Sequence, residues 1–452
     1  MSITYSPNQL EWLQIILRER LSIHLSINLL NEKCAVITLP SSTKKIEITL
    51  DPLTFLKADA SLLMRSWFPE SEGWLASSLG SDLPAPGLLK GQSKLIYKTN
   101  EGYSIKYDIL GLIFRMLTRL EEIDHDNIDC HGRYSAYASH AFKNGYLERP
   151  IVDEWLIILR QIMKRLWPSH DLVENNFKIK LSHDVDIVSR YRFATPYHII
   201  RRVMIDILKY RDFRSALLAP WGLLSKSIKL SKYDRFNTFE WIMEQSEANS
   251  LTSSFYFICG RTNPQFDAEY EPEHPIIRRL LRTIHARGHE IGLHPSYNSY
   301  QDPDIICSEA ERLRKICDEE NITQDIWGGR MHFLRWKHPN TLYGWEKAKM
   351  NYDSTMGFAE HAGFRCGTCH EYPAFDPLLD RIVNLRIQPL IVMEHTVISK
   401  SYMGLGLSNK AHDKILQLKN ACKEVNGSFT LLWHNNQLAT KAERDLYTSI
   451  IK

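Results

Sequence analysis

Four short segments carry the residue types that a hydrolytic site needs: Ser182-His183-Asp184-Val185-Asp186, Gly288-His289-Glu290-Ile291-Gly292-Leu293-His294, Gly329-Arg330 and Leu431-Leu432-Trp433-His434. Asp184 and Asp186 flank one valine, so on a strand they face the same way. Two carboxylates on one face repel unless a cation or a shared proton separates their roles; one can then bind a metal while the other takes a proton from water. His294 closes the run Ile291-Gly292-Leu293 and can ligate a metal through a neutral imidazole nitrogen. Asn298 follows four residues later. A helical turn opened by Pro295 would put it on the same face, where an amide oxygen is an acceptable but weak ligand. His434 ends Phe429-Thr430-Leu431-Leu432-Trp433 and can protonate a leaving group near neutral pH. Arg330 can pair with an aspartate and hold it ionised. Each residue also has a bland explanation: a helix-capping aspartate pair, a packed histidine, a solvated arginine. Their recurrence at the same place in successive units favours chemistry.

Those units are strands alternating with helices. Strands are expected at Lys178–His183, Ser253–Cys259, Glu290–His294, Asp325–Gly328, Ile382–Met393 and Ser428–His434. Helical periodicity lies between them at Thr238–Ala248, Ile276–Arg287, Ile305–Glu319, Thr341–Lys349 and Asn409–Val425. Repeated βα units predict an α/β fold with a parallel sheet, a barrel or a doubly wound one, in which functional residues collect at the C-terminal ends of strands. Residues 1–150 mix β-like runs (Ala35–Leu39, Ile46–Leu50) with a helix-like stretch, Ile105 to Glu122, and form a smaller N-terminal domain of α+β type. A helix from Asp153 to Trp167 marks the boundary, and residues 151–452 are the second domain.

One segment breaks the rhythm. Within 189–232 stand Arg190, Arg192, Arg201, Arg202, Lys209, Arg211, Arg214, Lys226, Lys229 and Lys232, opposed only by Asp206 and Asp212 and interleaved with apolar residues. This basic amphipathic insertion is expected to be a lid or a membrane-surface helix pair, or a hairpin packed on the N-terminal domain. The whole chain has 452 residues, 44% hydrophobic and 24% charged, with a net charge of +3. That is an ordinary globular composition whose charge gives no argument for a nucleic-acid partner. The start MSITYSPNQLEWLQ has no basic, then apolar, leader pattern, and the 8 cysteines are irregularly spaced. The expected location is therefore cytoplasmic, at most peripheral to the inner membrane. Cys366-Gly367-Thr368-Cys369-His370 matches a haem-attachment pattern, but a loop beside the pocket is the favoured reading.

With these residues in view, Lys178 to Lys452 resembles the polysaccharide deacetylases of carbohydrate esterase family 4. The resemblance implies a distorted (β/α) barrel. It implies Asp184 as base and Asp186 as metal ligand, His294 from Gly-His-Glu-Ile-Gly-x-His as a second ligand, and Asn298 where the family has its third. It leaves open whether Asn298 or another group such as His332 completes the site. Arg330-Met331-His332-Phe333 stands where the family has Arg-x-Pro-Tyr, so Arg330 would orient the base and the Phe333 N–H would face the oxyanion. Leu431 and His434 match Leu-x-x-His, with His434 the acid; the family's Asp-x-x-x-Trp motif has only a weak candidate, Asp353. The implied cofactor is a divalent metal, zinc first, with nickel, cobalt and manganese as alternatives. The implied reaction removes an N-acetyl group from an amino sugar in a glycan, or in its lipid- or nucleotide-linked precursor; the membrane contact would be with anionic lipid. Removal of a formyl or other acyl group is one alternative, and a carbohydrate-binding pseudoenzyme the other. The stretch from Asp108-Ile109-Leu110 to Arg149-Pro150-Ile151-Val152-Asp153-Glu154 is similar to an uncharacterised domain found ahead of some bacterial deacetylases.

Overall fold

Lys178–Val185 (β8) starts a series of parallel strands, and its last five residues are all buried because both faces are covered. The computed structural model describes residues 4–40, 42–92, 94–123, 125–172, 175–208, 211, 213, 216–218 and 229–452. They fall into two units: Met1–Lys178 with Met356–Ile391 and Gln417–Phe429, and Ile179–Thr355 with Val392–Leu416 and Thr430–Lys452.

In the first unit, strands Ser26–Asn31 (β1), Cys34–Thr38 (β2), Lys45–Thr49 (β3), Ile96–Thr99 (β6) and Gly102–Ile105 (β7) form a sheet in the order β1-β2-β3-β7-β6. Short strands Ser66–Trp67 (β4) and Leu83–Pro84 (β5) pair separately. Helix Pro7–Leu21 starts on a capping box, Ser6 with Gln9, that went unread in the sequence. Its Trp12 packs on Phe114 and Phe375 and donates to the Pro373 carbonyl at 2.8 Å. The hairpin Tyr372–Asp376 (β13) and Arg381–Ile387 (β14) falls in this unit. Helix Ile151–Leu166 does too, with Trp155 stacked on Trp67, so a single cut at residue 150 does not describe how the chain is divided. Buried Glu122 binds Arg119 at 2.8 Å and Arg365 at 2.6 Å. Burial works against its ionisation, yet the two guanidinium groups outweigh this and hold its carboxyl down at about 2.

In the second unit the strands are Ser253–Ile258 (β9), Glu290–His294 (β10), Gly328–Gly329 (β11), Tyr352–Asp353 (β12), Val392–Met393 (β15) and Ser428–Leu432 (β16), besides β8. Their order is β12-β11-β10-β9-β8-β16-β15. The pairs β8/β9, β9/β10, β10/β11, β11/β12 and β15/β16 are parallel. This is the expected α/β class. The order is linear, and among the described residues no pairing closes these strands into a barrel. Helices Phe239–Ala248, Pro275–Ala286, Pro303–Glu319 and Asn340–Lys347 lie where the periodicity predicts. The expected strand Ile382–Met393 is two strands, β14 and β15, parted by Gln388–Ile391. Of the insertion at 189–232, the helix Pro196–Leu208 is described. Lys209, Arg214, Trp221, Leu223, Leu224 and Lys226 lie outside the described residues.

Candidate metal centre

Because neighbouring strands are parallel, their C-terminal ends share one edge. His294 is the last residue of β10, Asp184 lies in β8 with Asp186 just past it, Arg330 follows β11, and His434 follows β16. Close approach there needs glycine: a Cβ on Gly329 would sit 1.9 Å from the Leu293 carbonyl oxygen. Across that gap Arg330 N–H donates to the same carbonyl at 3.1 Å.

Arg330 is fully buried, with four of its five N–H donors bonded. It donates to Asp184 Oδ1 at 2.8 Å, Ser182 Oγ at 2.9 Å, Ser354 Oγ at 3.0 Å and the Ser354 carbonyl at 2.9 Å. Asp184 is thus held by a fixed cation, as the sequence expects. Its other oxygen lies 3.7 Å from His294 Nε2.

Asp186, His294 and His332 present ligand atoms that all lie within 4.8 Å of one another. Asp186 Oδ1 is 3.3 Å from His294 Nε2 and 3.7 Å from His332 Nε2. That oxygen is buried without a hydrogen-bond partner, which costs free energy in a folded chain unless a cation or water satisfies it. The distal nitrogens are fixed in the way metal-ligating imidazoles are: His294 Nδ1 to the Arg330 carbonyl at 2.6 Å, His332 Nδ1 to Asp267 Oδ1 at 3.1 Å. Burial opposes ionisation of Asp186, but His332, His294 and His434 outweigh it and hold its carboxyl well below the usual range. One carboxylate and two imidazoles with outer hydrogen bonds fit a divalent transition metal.

Asn298 has other partners. Residues 295–297 form no helical turn, and the Asn298 amide donates to the Thr262 carbonyl at 3.1 Å and accepts from Arg335 at 3.2 Å. His332, the alternative that the sequence left open, is the third residue whose ligand atom lies in the group. Phe333 follows it in the left-handed region, at φ 61°, with its ring against Phe266 and Tyr297.

His434 Nε2 is 3.6 Å from Asp186 Oδ2, and its Nδ1 is 2.6 Å from Glu394 Oε1. Burial pushes the imidazole pKa down, but Glu394, Asp186 and Asp184 more than offset this and raise it to about 10. Glu394 was missed in the sequence because it directly follows a strand-like run, where a lone acid reads as a turn residue. Asp267 was missed likewise, on a loop with no periodic signal. The side chains of Asp186 and His434 are 26% and 16% exposed, so the group opens to solvent on their side.

Other imidazoles are structural. His183 bonds the Trp433 carbonyl at 2.6 Å and Ser253 Oγ at 3.1 Å, and burial pushes its pKa down to about 3. His289 accepts from the Ser253 N–H at 3.1 Å, supporting the sheet. Asp353 is buried and accepts the Thr355 N–H at 2.8 Å. Cys366 and Cys369 are free, buried thiols of the first unit, not part of a loop in this site. Asp153, Cys369 and His370 also come close enough to hold an ion. There the carboxylate already accepts Thr368 Oγ1 at 2.8 and 2.9 Å and Cys369 N at 3.1 Å.

Residues 3–168 match the model of a family of unknown function, DUF7033. No curated protein matches the chain significantly. Among solved structures, one described as a polysaccharide deacetylase from Mycobacterium smegmatis is similar at 15% identity and a TM-score of 0.39, over 62% of this chain and 85% of its own. The Puue allantoinase is similar at 12% identity and a TM-score of 0.36, over 61% of this chain and 83% of its own.

Proposed function

We propose that the chain is a metal-dependent amide hydrolase that removes the N-acetyl group of an amino sugar, in a surface glycan or in its lipid- or nucleotide-linked precursor. One observation carries this reading. A carboxylate fixed by an arginine and an imidazole fixed by a carboxylate border one and the same Asp186-His294-His332 group. A divalent ion held by these three residues, zinc first, with nickel, cobalt or manganese as alternatives, would acidify a water and polarise the scissile carbonyl.

The remaining chemistry belongs to the chain. Asp184 accepts the proton of the attacking water, and Arg330 keeps it ionised and fixed in direction. The backbone N–H of Phe333 faces the developing oxyanion. His434, kept protonated by Glu394, donates its proton to the departing amine. His332 stands where the resembled family has proline, and here it supplies an imidazole. The test is acetate release from N-acetylated amino sugars, free, nucleotide-linked and lipid-linked, by zinc-loaded protein. Activity should vanish with chelation and return with metal. Metal-loaded protein that releases no acyl group from any of these substrates would sink the proposal.

A further inference from the structure

The helix Pro196–Leu208 is amphipathic the wrong way round for a helix packed on its own protein. Two of its charged residues, Asp206 and Arg202, face inward. Asp206 is fully buried between Arg190, at 2.9 and 2.7 Å, and Arg235, at 3.6 Å. Arg202 and His198 bind Glu269 at 3.0 and 2.9 Å. Its apolar residues face outward: Tyr197, Ile200, Met204 and Leu208 are 71%, 64%, 55% and 75% exposed. Their spacing of three and four puts them on one face. Phe213 and Leu217, further along, are also exposed. Contiguous apolar surface of this kind marks an interaction site.

We infer that this face docks the chain on an anionic phospholipid bilayer. Charge complementarity selects the occupant. Among the described residues of segment 189–232, Arg201, Arg211, Lys229 and Lys232 are exposed, whereas Asp206 is consumed inside the fold with Arg190. Arg201 lies exposed beside the apolar row and lines, with Tyr197, Ile200, Met204, Ile205 and Leu208, an open groove of about 380 Å³. Apolar side chains enter the acyl boundary, an aromatic sits at the headgroup level, and guanidinium groups meet lipid phosphates. The polar anchorage has a second consequence. Glu269, which receives Arg202 and His198, is close in sequence to Asp267, which holds His332. The helix and the candidate metal group are thus fixed through one loop, so a docked chain works at the lipid surface. The sugar substrate is then one carried on a lipid, a consequence that rests on the hydrolase reading, while the docking itself does not.

Vesicle flotation of the full chain tests it, comparing phosphatidylcholine alone with phosphatidylcholine plus phosphatidylglycerol. The chain should float with the anionic vesicles, and added salt should release it. Arg201→Gln should weaken retention about fivefold. The double variant Ile200→Glu, Leu208→Glu should stay at the bottom while keeping the circular dichroism and soluble-substrate turnover of the parent. Failure of the parent to float overturns the proposal and leaves a protein surface, or residues 219–228 of the same chain, as the occupant. Equal flotation on both vesicles, or flotation of the double variant, overturns it too. Flotation is readable whether or not the chain hydrolyses anything, so the two proposals fail separately.

Discussion

His434 Nδ1 lies 2.6 Å from Glu394 Oε1, and the same oxygen receives the His434 backbone N–H at 3.1 Å. One carboxylate thus fixes the imidazole in place, direction and charge. Glu394→Gln keeps the shape but removes the charge that stabilises the imidazolium. Its kcat should fall about 100-fold with KM little changed. The alkaline limb of the pH–rate profile should move to lower pH. A profile that keeps its shape would show that another group donates the proton.

Metal content separates the site residues by role. Asp186→Ala, His294→Ala and His332→Ala should each lose bound metal, whereas Asn298→Ala should keep it. Asp184→Asn should keep metal and lose turnover. Elemental analysis of the purified variants decides each case. Metal lost from Asn298→Ala, with His332→Ala still loaded, would reverse the ligand assignment.

Arg330 is the cation on which the base depends. Arg330→Leu leaves the Asp184 carboxylate buried without its partner, so stability should drop by about 3–5 kcal/mol. Denaturant titration measures this. The double variant Arg330→Leu, Asp184→Asn should recover part of the loss, because the stranded charge is gone.

Acid should weaken the first unit through Glu122. The folded pKa of Glu122, about 2, lies below its ordinary value of 4.5, so its contribution is complete above about pH 4.5. The contribution fades as pH falls through that window towards 2. Glu122→Gln should flatten the acid limb of the stability curve and lower stability at neutral pH, since Arg119 and Arg365 lose their shared carboxylate. A parent whose stability does not change between pH 5 and about 2.5 would contradict this.

Much of the second unit was legible because its signals are local. Apolar runs ending in chemistry-bearing residues give the strand ends, and β10 has the expected bounds, Glu290–His294. The failures were non-local. Whether Asn298 or His332 stands beside His294 depends on how the loop after Arg330 folds back, and no spacing rule reports that. Glu394 meets His434 across 40 residues, and Asp267 meets His332 across 65. The single strand expected at Ile382–Met393 divides into β14 and β15, which fall in different units.

Gly329 does no chemistry, yet the site depends on its having nothing to show. Any methyl group there would collide with the neighbouring strand's carbonyl and push Arg330 away from Asp184. Saturation mutagenesis scored on turnover should therefore find an intolerant position with no functional group to lose. A designer relocating this centre to another scaffold would have to copy that blank as faithfully as the ligands.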